Sequence, residues 1–425
     1  MPPPPLLCLA LSLLALLPPS SAQSTLALNE PPDNTLLLGA WLDTSTDSPQ
    51  SFNARLGLPA PWFQFAQNIP VDPLDQSTGQ GGIVNASMVW ETGTDAGVYV
   101  TVYPAQGFAA IRDQDWAALG VQLQSYVLAG RGVFLRFAPE MNGNWDVWGI
   151  QPTAFKAAWA RMHALVKLSC PSCALVWSPN ASPGYPYSIT PDMVASAEDR
   201  QALDTDGDGA YTAADDAFAP YYPGDALVDW AGVSYYYKGV YPNSYNVANG
   251  PGTVEAALTG TAPAGLEQAQ AVQYTPFYET YCERMPCMFS ESGAAWHWNQ
   301  TGVPANFDSP THTAVEQAWW RDGLTNRTLL SAYPRLKLLM LFEWQKVEAD
   351  AGISTLRDFR ITNATDVLQA FRADMQAVQG TYRWANELPG GAAGVPAQVP
   401  MPQPSPARAT PYRMPAGEST SLFWN

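Results

Sequence analysis

Short apolar runs recur along the chain and alternate with segments whose apolar residues follow helical spacing. A continuous apolar run that ends in turn residues is typical of a strand buried on both faces in a parallel sheet. Apolar positions three and four residues apart indicate an amphipathic helix. The strands predicted in this way are Thr35–Leu42, Trp62–Ile69, Gly97–Tyr103, Gly132–Phe137, Leu175–Asn180, Val228–Tyr236, Cys287–Glu291 and Leu336–Trp344.

Helices are predicted between most of these strands, and Ser87–Trp90 is an alternative candidate for the third strand. Strands that alternate with helices predict an α/β chain with a parallel sheet. Eight such units predict a (β/α)₈ TIM barrel, a fold that needs about 250 residues or more. The predicted helices are Asp113–Ala129, Pro152–Leu168, Leu266–Arg284, Ala314–Ala332 and Asp366–Gln379.

The two ends of the chain depart from this pattern. The apolar run Leu6–Leu17 leads into small residues up to Ala22, which predicts a secretory signal over residues 1–22. Residues 23–386 are predicted to form the barrel domain. Residues 387–425 are rich in Pro, Gly and Ala, which predicts a tail that is disordered or lies extended over the barrel. No later run reaches the ~20 apolar residues of a membrane helix, so we expect a secreted, extracellular protein.

The charge of the chain restricts its partners. The formal net charge is −17, with only 21 Lys and Arg residues, which argues against nucleic acid and anionic membrane surfaces as partners. Sixteen Trp and 19 Tyr residues, with 14% charged residues, fit a protein whose polar contacts come from hydroxyl groups and aromatic rings. The sequence does not fix the oligomeric state, and a monomer is our working expectation.

Four of the five cysteines form two close pairs, Cys170/Cys173 and Cys282/Cys287. Four cysteines allow three connectivities, and local pairing is the simplest. A zinc site with four thiolates is the alternative, which an exported protein disfavours. Export through a eukaryotic secretory route would also make Asn-x-Ser/Thr sequons candidate glycosylation sites; they occur at Asn85, Asn180, Asn299, Asn326 and Asn363.

The most informative stretch follows the fourth predicted strand and begins at Arg136. It continues Phe-Ala-Pro-Glu-Met-Asn-Gly-Asn-Trp-Asp-Val-Trp and so places Glu140, Asn142, Trp145 and Trp148 after a buried strand. The active sites of (β/α)₈ barrels lie at the C-terminal ends of the strands. Tryptophan faces stack on pyranose rings, while carboxylate and amide groups hydrogen-bond hydroxyls. The stretch therefore predicts a sugar-binding site.

A second carboxylate, Glu291, ends the seventh predicted strand in Met-Phe-Ser-Glu-Ser-Gly. Retaining glycoside hydrolysis uses two carboxyl groups about 5–5.5 Å apart, and the ends of strands four and seven can face one another across a barrel mouth. Tyr236 and Trp344 end the sixth and eighth strands; core packing is the alternative interpretation for both. The spacing alone does not assign a role to either carboxylate.

These motifs resemble glycoside hydrolase family 26, the mannanase family, in a divergent, fungal-type form. The resemblance covers the strands that carry Glu140, Tyr236 and Glu291, and it is weak over the first ~100 residues. It implies Glu140 as the acid/base and Glu291 as the nucleophile. It further implies that Tyr236 hydrogen-bonds the nucleophile and that Trp344 is a sugar platform.

Two positions depart from the family pattern. Pro139 stands where the family has His, and Ser234 stands where it often has Asp. Arg136 is predicted to orient a carboxylate, with Glu291 as its partner, and to lower the pKa of that carboxylate. The apolar neighbours of Glu140 predict a raised pKa, as a general acid requires.

An acidic segment between the fifth and sixth strands has the spacing of a calcium loop. Oxygen ligands would come from positions 1, 3, 5, 7, 9 and 12 of the loop, with Gly207 at position 6 for the sharp turn. The predicted ligands are Asp204, Asp206, Asp208, the backbone of Ala210, Thr212 and Asp215. We expect a structural Ca²⁺ in an insertion of about residues 181–226, and no cofactor for catalysis; a solvated acidic turn is the alternative.

Together these features predict a secreted, retaining glycoside hydrolase that acts on a β-linked polysaccharide. The alternative is a carbohydrate-binding protein on the same barrel that has lost turnover. Pro139 and Ser234 favour this alternative, whereas the presence of both Glu140 and Glu291 argues against it.

Overall fold

A computed structural model describes residues 26–74, 81–239, 245–262, 271–298, 310–350 and 353–389. The predicted signal segment 1–22, the sequon at Asn299 and the tail beyond residue 389 lie outside the described residues. Among the helices of the described part, none is long and apolar enough to cross a membrane.

Eight parallel strands close into a barrel, each hydrogen-bonded to its neighbours in chain order, with the last strand pairing with the first. The predicted (β/α)₈ fold is confirmed, and the predicted strand positions hold to within three residues at each end. The strands are β1 Leu37–Leu42, β2 Trp62–Asn68, β3 Gly97–Tyr103, β4 Val133–Phe137, β5 Ala174–Trp177, β6 Trp230–Tyr237, β7 Cys287–Ala294 and β8 Leu336–Glu343.

Helices of very different length connect the strands. Among the described residues between β2 and β3 the one helical segment is a single turn over Ser87–Trp90, so this segment is not a strand and Gly97–Tyr103 is the third strand. The helices are α1 Pro49–Leu56, α2 Ser87–Trp90, α3 Asp113–Leu128, α4 Pro152–Ser169, α5 Ala197–Leu203, α6 Thr253–Thr259, α7 His312–Asp322, α8 Arg327–Ala332 and α9 Thr365–Val378.

Side chains from alternate strand positions fill the barrel interior near the N-terminal ends of the strands. Trp62 packs on Phe134 with ring centroids 4.2 Å apart, and Phe134 packs on Trp230 at 5.0 Å. Gly97 is required beside this layer, because a Cβ there would lie 2.4 Å from the Trp62 ring. This aromatic layer therefore closes the N-terminal end of the barrel. Two residues further along the strands the inward positions become polar, which places the polar layer at the C-terminal mouth.

Two predicted helices are wrong in part. Of Leu266–Arg284, the described residues contain a short strand at Val272–Gln273 and one π-helical turn at Tyr278–Cys282. Pro276 lies between them, and a proline inside a helix removes a hydrogen bond and clashes with the preceding turn. The predicted Ala314–Ala332 helix is two helices, α7 and α8. The first ends at Gly323, and the Asn326 side chain caps the second.

An antiparallel sheet that the sequence analysis did not predict lies beyond the ends of β7 and β8. Its strands are Trp296–Trp298, Gln345–Asp350 and Ile353–Asp358. Its buried Glu348 carboxylate forms ion pairs with Lys346 at 2.6 Å and with Arg357. This sheet therefore extends one wall of the mouth.

The two cysteine pairs are disulfides. Cys170 bonds Cys173 between α4 and β5, and Cys282 bonds Cys287 at the start of β7. Local pairing is therefore confirmed, and these four thiols are not available as zinc ligands. Each bridge joins a helical segment to the strand that follows it.

Candidate active site

The turn after β4 holds Glu140 in an unusual backbone conformation. Both Ala138 and Glu140 have positive φ values, 47° and 54°, in a backbone region that residues other than glycine rarely adopt. The Ala138 amide donates to the Val102 carbonyl, and the Glu140 amide donates to the Ser178 carbonyl, each at 2.9 Å. These bonds to β3 and to the end of β5 over-determine the turn. Strain of this kind, held by its surroundings, is typical of functional sites.

Glu291 reaches the barrel interior through an irregularity in β7. The register between β6 and β7 shifts at this point, since Val233 pairs with Phe289 and Ser234 pairs with Glu291. Glu291 is 1% exposed, and Arg136 forms a buried ion pair with its Oε1. Tyr236 donates to its Oε2 at 2.6 Å. The contacts predicted for Arg136 and Tyr236 are both present, and the carboxylate is held from two sides.

Arg136 is fully buried and connects three strands. Its Nε donates to Ser178 Oγ at 3.0 Å, and its Nη2 donates to Ser234 Oγ at 2.6 Å. Each of the three guanidinium nitrogens therefore donates a hydrogen bond to a protein group. Arg136 belongs to the stretch predicted to bind sugar, and in the structure its guanidinium binds the carboxylate of Glu291, the partner predicted for it.

The two carboxylates lie in different environments. Burial, and next the negative charge of Glu291, raises the pKa of Glu140 to about 7, while Arg136 acts against this rise. Glu140 is 3% exposed, and its Oε1 has no hydrogen-bond partner among the described residues. Burial, with the charge of Glu291, also raises the pKa of Tyr236 well above its usual value, so its hydroxyl stays protonated and donates. Glu140 is thus suited to carry a proton, whereas the carboxylate of Glu291 is bound by a cation and a phenol donor.

Two of the predicted substrate contacts are internal to the protein. Asn142 is fully buried, and its side chain bonds the backbone nitrogen and oxygen of Asn180 at 2.8 and 2.9 Å. Trp148 is 4% exposed, donates to the Pro139 carbonyl at 2.8 Å and stacks on Tyr103. Both residues position the loop that carries Glu140. The sequence pattern identified the loop but not which of its side chains face inward.

Two other predicted contacts remain available to a ligand. Trp145 is half-buried and packs its ring against the backbone of Gly143. Trp344 is half-buried at the end of β8 and meets Trp41 edge to face at 6.0 Å. The indole nitrogens of both tryptophans are buried and lack a partner among the described residues. Each can therefore offer an N–H group as well as an aromatic face.

Several site residues were not identified from the sequence. Gln64 on β2 lies against Glu291, and its amide nitrogen is 3.4 Å from Glu291 Oε1. Asp146 has a buried Oδ2 without a partner among the described residues. Burial, and next the negative charge of Glu140, raises the pKa of the Asp146 carboxyl well above its usual value. Asp146 lies within the stretch that begins at Arg136, whereas nothing in the apolar sequence of β2 marks Gln64.

The acidic loop between β5 and β6 brings together half of its predicted ligands. Carboxylate oxygens of Asp204, Asp206 and Asp208 lie within 4.8 Å of one another. Asp215 is buried and accepts hydrogen bonds from the backbone amides of Thr205 and Thr212, at 2.7 and 2.8 Å. The Asp215 carboxylate therefore holds the loop backbone together through these hydrogen bonds. The side chain of Thr212 accepts from the Ala214 amide, and Ala210 lies exposed at the loop tip.

Of the four described sequons, Asn85 and Asn363 have exposed side chains. Asn326 accepts hydrogen bonds from the amides of Thr328 and Leu329 as the cap of α8. Asn180 is half-buried beside Asn142. Asn85 and Asn363 are therefore the most accessible candidates for glycosylation.

Comparison with known proteins gives likenesses of overall shape only. No protein-family model matches the sequence, and the search of curated proteins gives no match. A mutant endo-beta-1,4-mannanase from Cellulomonas fimi is 15% identical, with a TM-score of 0.47 over 87% of this chain and 77% of that one. A GH26 beta-mannanase from Bacteroides ovatus is 12% identical, with a TM-score of 0.47 over 83% and 90%. The GH26 domain of a Prevotella bryantii enzyme is 14% identical, with a TM-score of 0.43 over 82% and 90%.

Proposed function

We propose that the protein is a secreted, retaining glycoside hydrolase that cleaves a β-linked polysaccharide, of mannan type or a related β-glycan. The observation that carries the proposal is the pair of buried carboxyl groups at the barrel mouth. Glu291 is bound by a guanidinium and a phenol, whereas Glu140 has a pKa of about 7 and an unpartnered oxygen. Two carboxyl groups that differ in this way suit the nucleophile and the acid/base of a double displacement.

In this mechanism the Glu291 carboxylate attacks the anomeric carbon while Glu140 donates its proton to the departing glycosidic oxygen. The result is a glycosyl ester on Glu291 and an ionised Glu140. Glu140 then removes a proton from water, which attacks the same carbon and releases Glu291. Arg136 and Tyr236 hold Glu291 in one orientation throughout, which reduces the reorganisation that the reaction requires.

Membership of glycoside hydrolase family 26 is the finer part of the proposal. It rests on the sequence motifs around Glu140, Tyr236 and Glu291. Secretion is supported by the apolar N-terminal segment and by two disulfides, which persist mainly in oxidising compartments. The departure at Pro139 removes a polar neighbour from the site, which makes loss of turnover the outcome to test.

The test is release of reducing oligosaccharides from soluble β-mannans, β-glucans and xylans by the full chain. Hydrolysis of one class names the substrate. A protein that binds a glycan in calorimetry but releases no sugar from any of them would instead be a carbohydrate-binding protein, and the hydrolase proposal would be wrong.

The rate of hydrolysis is expected to fall as the pH rises through about 7. The free enzyme must carry a proton on Glu140, whose pKa is about 7, so kcat/KM decreases by about tenfold per pH unit above that value. The measurement is a pH profile of kcat/KM on a substrate with a poor leaving group. The control is Glu140→Ala with an activated aryl glycoside, for which this alkaline limb should disappear. An unchanged limb in the variant would assign it to another group.

We also propose that the loop at residues 204–215 holds a structural Ca²⁺. Its donors are oxygens only, which suits calcium, and Asp204 Oδ1 is buried without a partner among the described residues. Asp204, Asp206 and Asp208 would hold the ion, while Asp215 fixes the loop backbone. Bound calcium would order one rim of the mouth.

Calcium is therefore expected to raise the melting temperature, and a chelator to lower it. At a calcium concentration of ~100 Kd, the gain is on the order of 2–3 kcal/mol. Asp206→Asn should reduce this gain, whereas Asp192→Asn, an exposed aspartate outside the loop, should not. A melting temperature that does not respond to calcium, or an equal response in Asp206→Asn, would refute the site.

A further inference from the structure

One cavity at the barrel mouth adjoins Glu291 on the side of β1 and β2. Its lining includes Trp41 from β1, Gln64 from β2, Trp344 after β8, and Asn85 and Met88 from the connection between β2 and β3. Trp41 and Trp344 meet edge to face, and Trp344 stacks on Phe342 at 6.0 Å. The cavity therefore has an aromatic wall and a polar floor, the composition of a small-ligand site.

Gln64 forms the polar floor next to Glu291. It points into the barrel from β2, two residues after Trp62, and is 1% exposed. Its Nε2 donates to Thr101 Oγ1 at 3.0 Å and lies 3.4 Å from Glu291 Oε1. Its Oε1 has no partner among the described residues, although it is buried.

The orientation of this amide follows from its neighbour. An ionised carboxylate accepts hydrogen bonds and cannot donate them, so the amide nitrogen must face Glu291. The opposite orientation would place two acceptor oxygens against each other. The carbonyl oxygen of Gln64 is therefore the atom without a hydrogen bond.

An unpaired buried acceptor is costly. The group loses its hydrogen bonds to water and gains none in return, and buried groups of this kind usually have an explanation in function or in a bound molecule. Trp344 lines the same cavity, and its Nε1 is a buried donor that also has no partner among the described residues. A hydroxyl group both donates and accepts, so adjacent hydroxyls of one sugar can satisfy both atoms.

We propose that Gln64 is a substrate-contacting residue of this site. Its Oε1 accepts a hydrogen bond from a hydroxyl of the sugar that reacts at Glu291, while its Nε2 holds the attacking carboxylate. Trp344 Nε1 donates to a second hydroxyl in the same cavity. One amide thereby fixes the nucleophile and the sugar relative to each other, which aligns the reacting atoms. This inference rests on the proposed hydrolysis and adds the residue that orients the sugar.

Gln64→Met tests the contact, because methionine keeps the length of the side chain and removes both polar atoms. Gln67→Met is the matched control: Gln67 is on the same strand and equally buried, and Gln122 and the Val84 amide satisfy both polar atoms of its side chain. Gln64→Met is expected to lower kcat/KM by about 10²-fold, the loss of a substrate contact in a buried site. Gln67→Met should affect the melting temperature and leave kcat/KM within a few-fold.

Monodeoxy substrates separate substrate contact from structural support. For the deoxy sugar that lacks the contacted hydroxyl, kcat/KM of wild type should fall by a factor similar to the loss caused by Gln64→Met. The Gln64→Met variant should show no further fall in kcat/KM with that sugar. If every deoxy substitution lowers kcat/KM of the variant as much as that of wild type, Gln64 does not contact the sugar. Gln64→Asn, which withdraws the amide by one carbon, provides the same comparison if the methionine variant fails to fold.

Binding of the same sugars to Glu140→Ala, measured by calorimetry, separates the two proposals. If Gln64→Met weakens binding only of sugars that carry one particular hydroxyl, and wild type hydrolyses nothing, the contact proposal stands and the hydrolase proposal is wrong. If wild type hydrolyses a glycan but neither kinetics nor calorimetry links Gln64 to one hydroxyl, the contact proposal is wrong and the hydrolase proposal stands. A protein that neither binds nor cleaves any glycan of the three classes would refute both.

Discussion

Glu291→Gln is expected to lower hydrolysis by at least about 10⁴-fold, because the amide cannot form the glycosyl ester through which the reaction passes. Glutamine is nearly isosteric, and its carbonyl oxygen can still accept from Arg136, which is fully buried. The fold is therefore expected to survive the substitution. Initial rates on the polysaccharide identified by the substrate panel, with circular dichroism and a melting curve, measure both effects.

Glu343→Gln is the matched control for this experiment. Glu343 is also a buried carboxyl group at the end of a barrel strand, but it accepts hydrogen bonds from Ile361 and Thr362 on the connection that follows. Burial raises its pKa to about 7, so glutamine resembles its protonated form. Its replacement should leave the rate within a few-fold. Retained activity in Glu291→Gln, or an equal loss in Glu343→Gln, would show that Glu291 is not the nucleophile.

Arg136→Met is expected to destabilise the protein by about 3–5 kcal/mol and to abolish detectable hydrolysis. The substitution leaves the carboxylate of Glu291 buried without its cation, and an uncompensated buried charge is far more costly than a lost surface ion pair. It also removes the donors to Ser178 and Ser234. Denaturant unfolding of the folded variant at neutral pH measures the loss of stability.

The double variant Arg136→Met with Glu291→Gln should recover part of the lost stability, because no unpaired charge remains in the barrel. Arg161→Met is the control, since Arg161 pairs with Asp113 on the exposed surface and its replacement should leave unfolding unchanged. If Arg136→Met unfolds like wild type, the ion pair does not hold Glu291. If the double variant recovers nothing, the cost lies in packing instead of charge.

The arrangement of the main site residues follows from the strand pattern. Arg136, Tyr236 and Glu291 lie at or near the C-terminal ends of predicted strands, and a closed parallel barrel brings those ends to one mouth. Apolar neighbours of Glu140 were enough to predict the direction of its pKa shift. These inferences succeeded because each depends on strand direction and local burial, which a sequence pattern reports.

Other features depend on long-range packing that no local pattern reports. Gln64 lies within the apolar sequence Trp-Phe-Gln-Phe of β2, and only barrel closure places it against Glu291. Asn142 and Trp148 have the residue types of sugar contacts, yet the fold uses them to hold backbone groups. The positive φ of Glu140 likewise results from hydrogen bonds to neighbouring strands and leaves no mark in the sequence.

The most direct measurement is to trap the covalent intermediate on the intact protein. A 2-deoxy-2-fluoro glycoside of the sugar named by the substrate panel, with an activated leaving group, forms the glycosyl ester quickly and releases it slowly. Mass spectrometry of the digested protein should then place one fluorosugar on the peptide that contains Glu291, and Glu291→Gln should carry none. A label on another carboxylate, or hydrolysis that proceeds without any label, would contradict the assignment of Glu291 as the nucleophile.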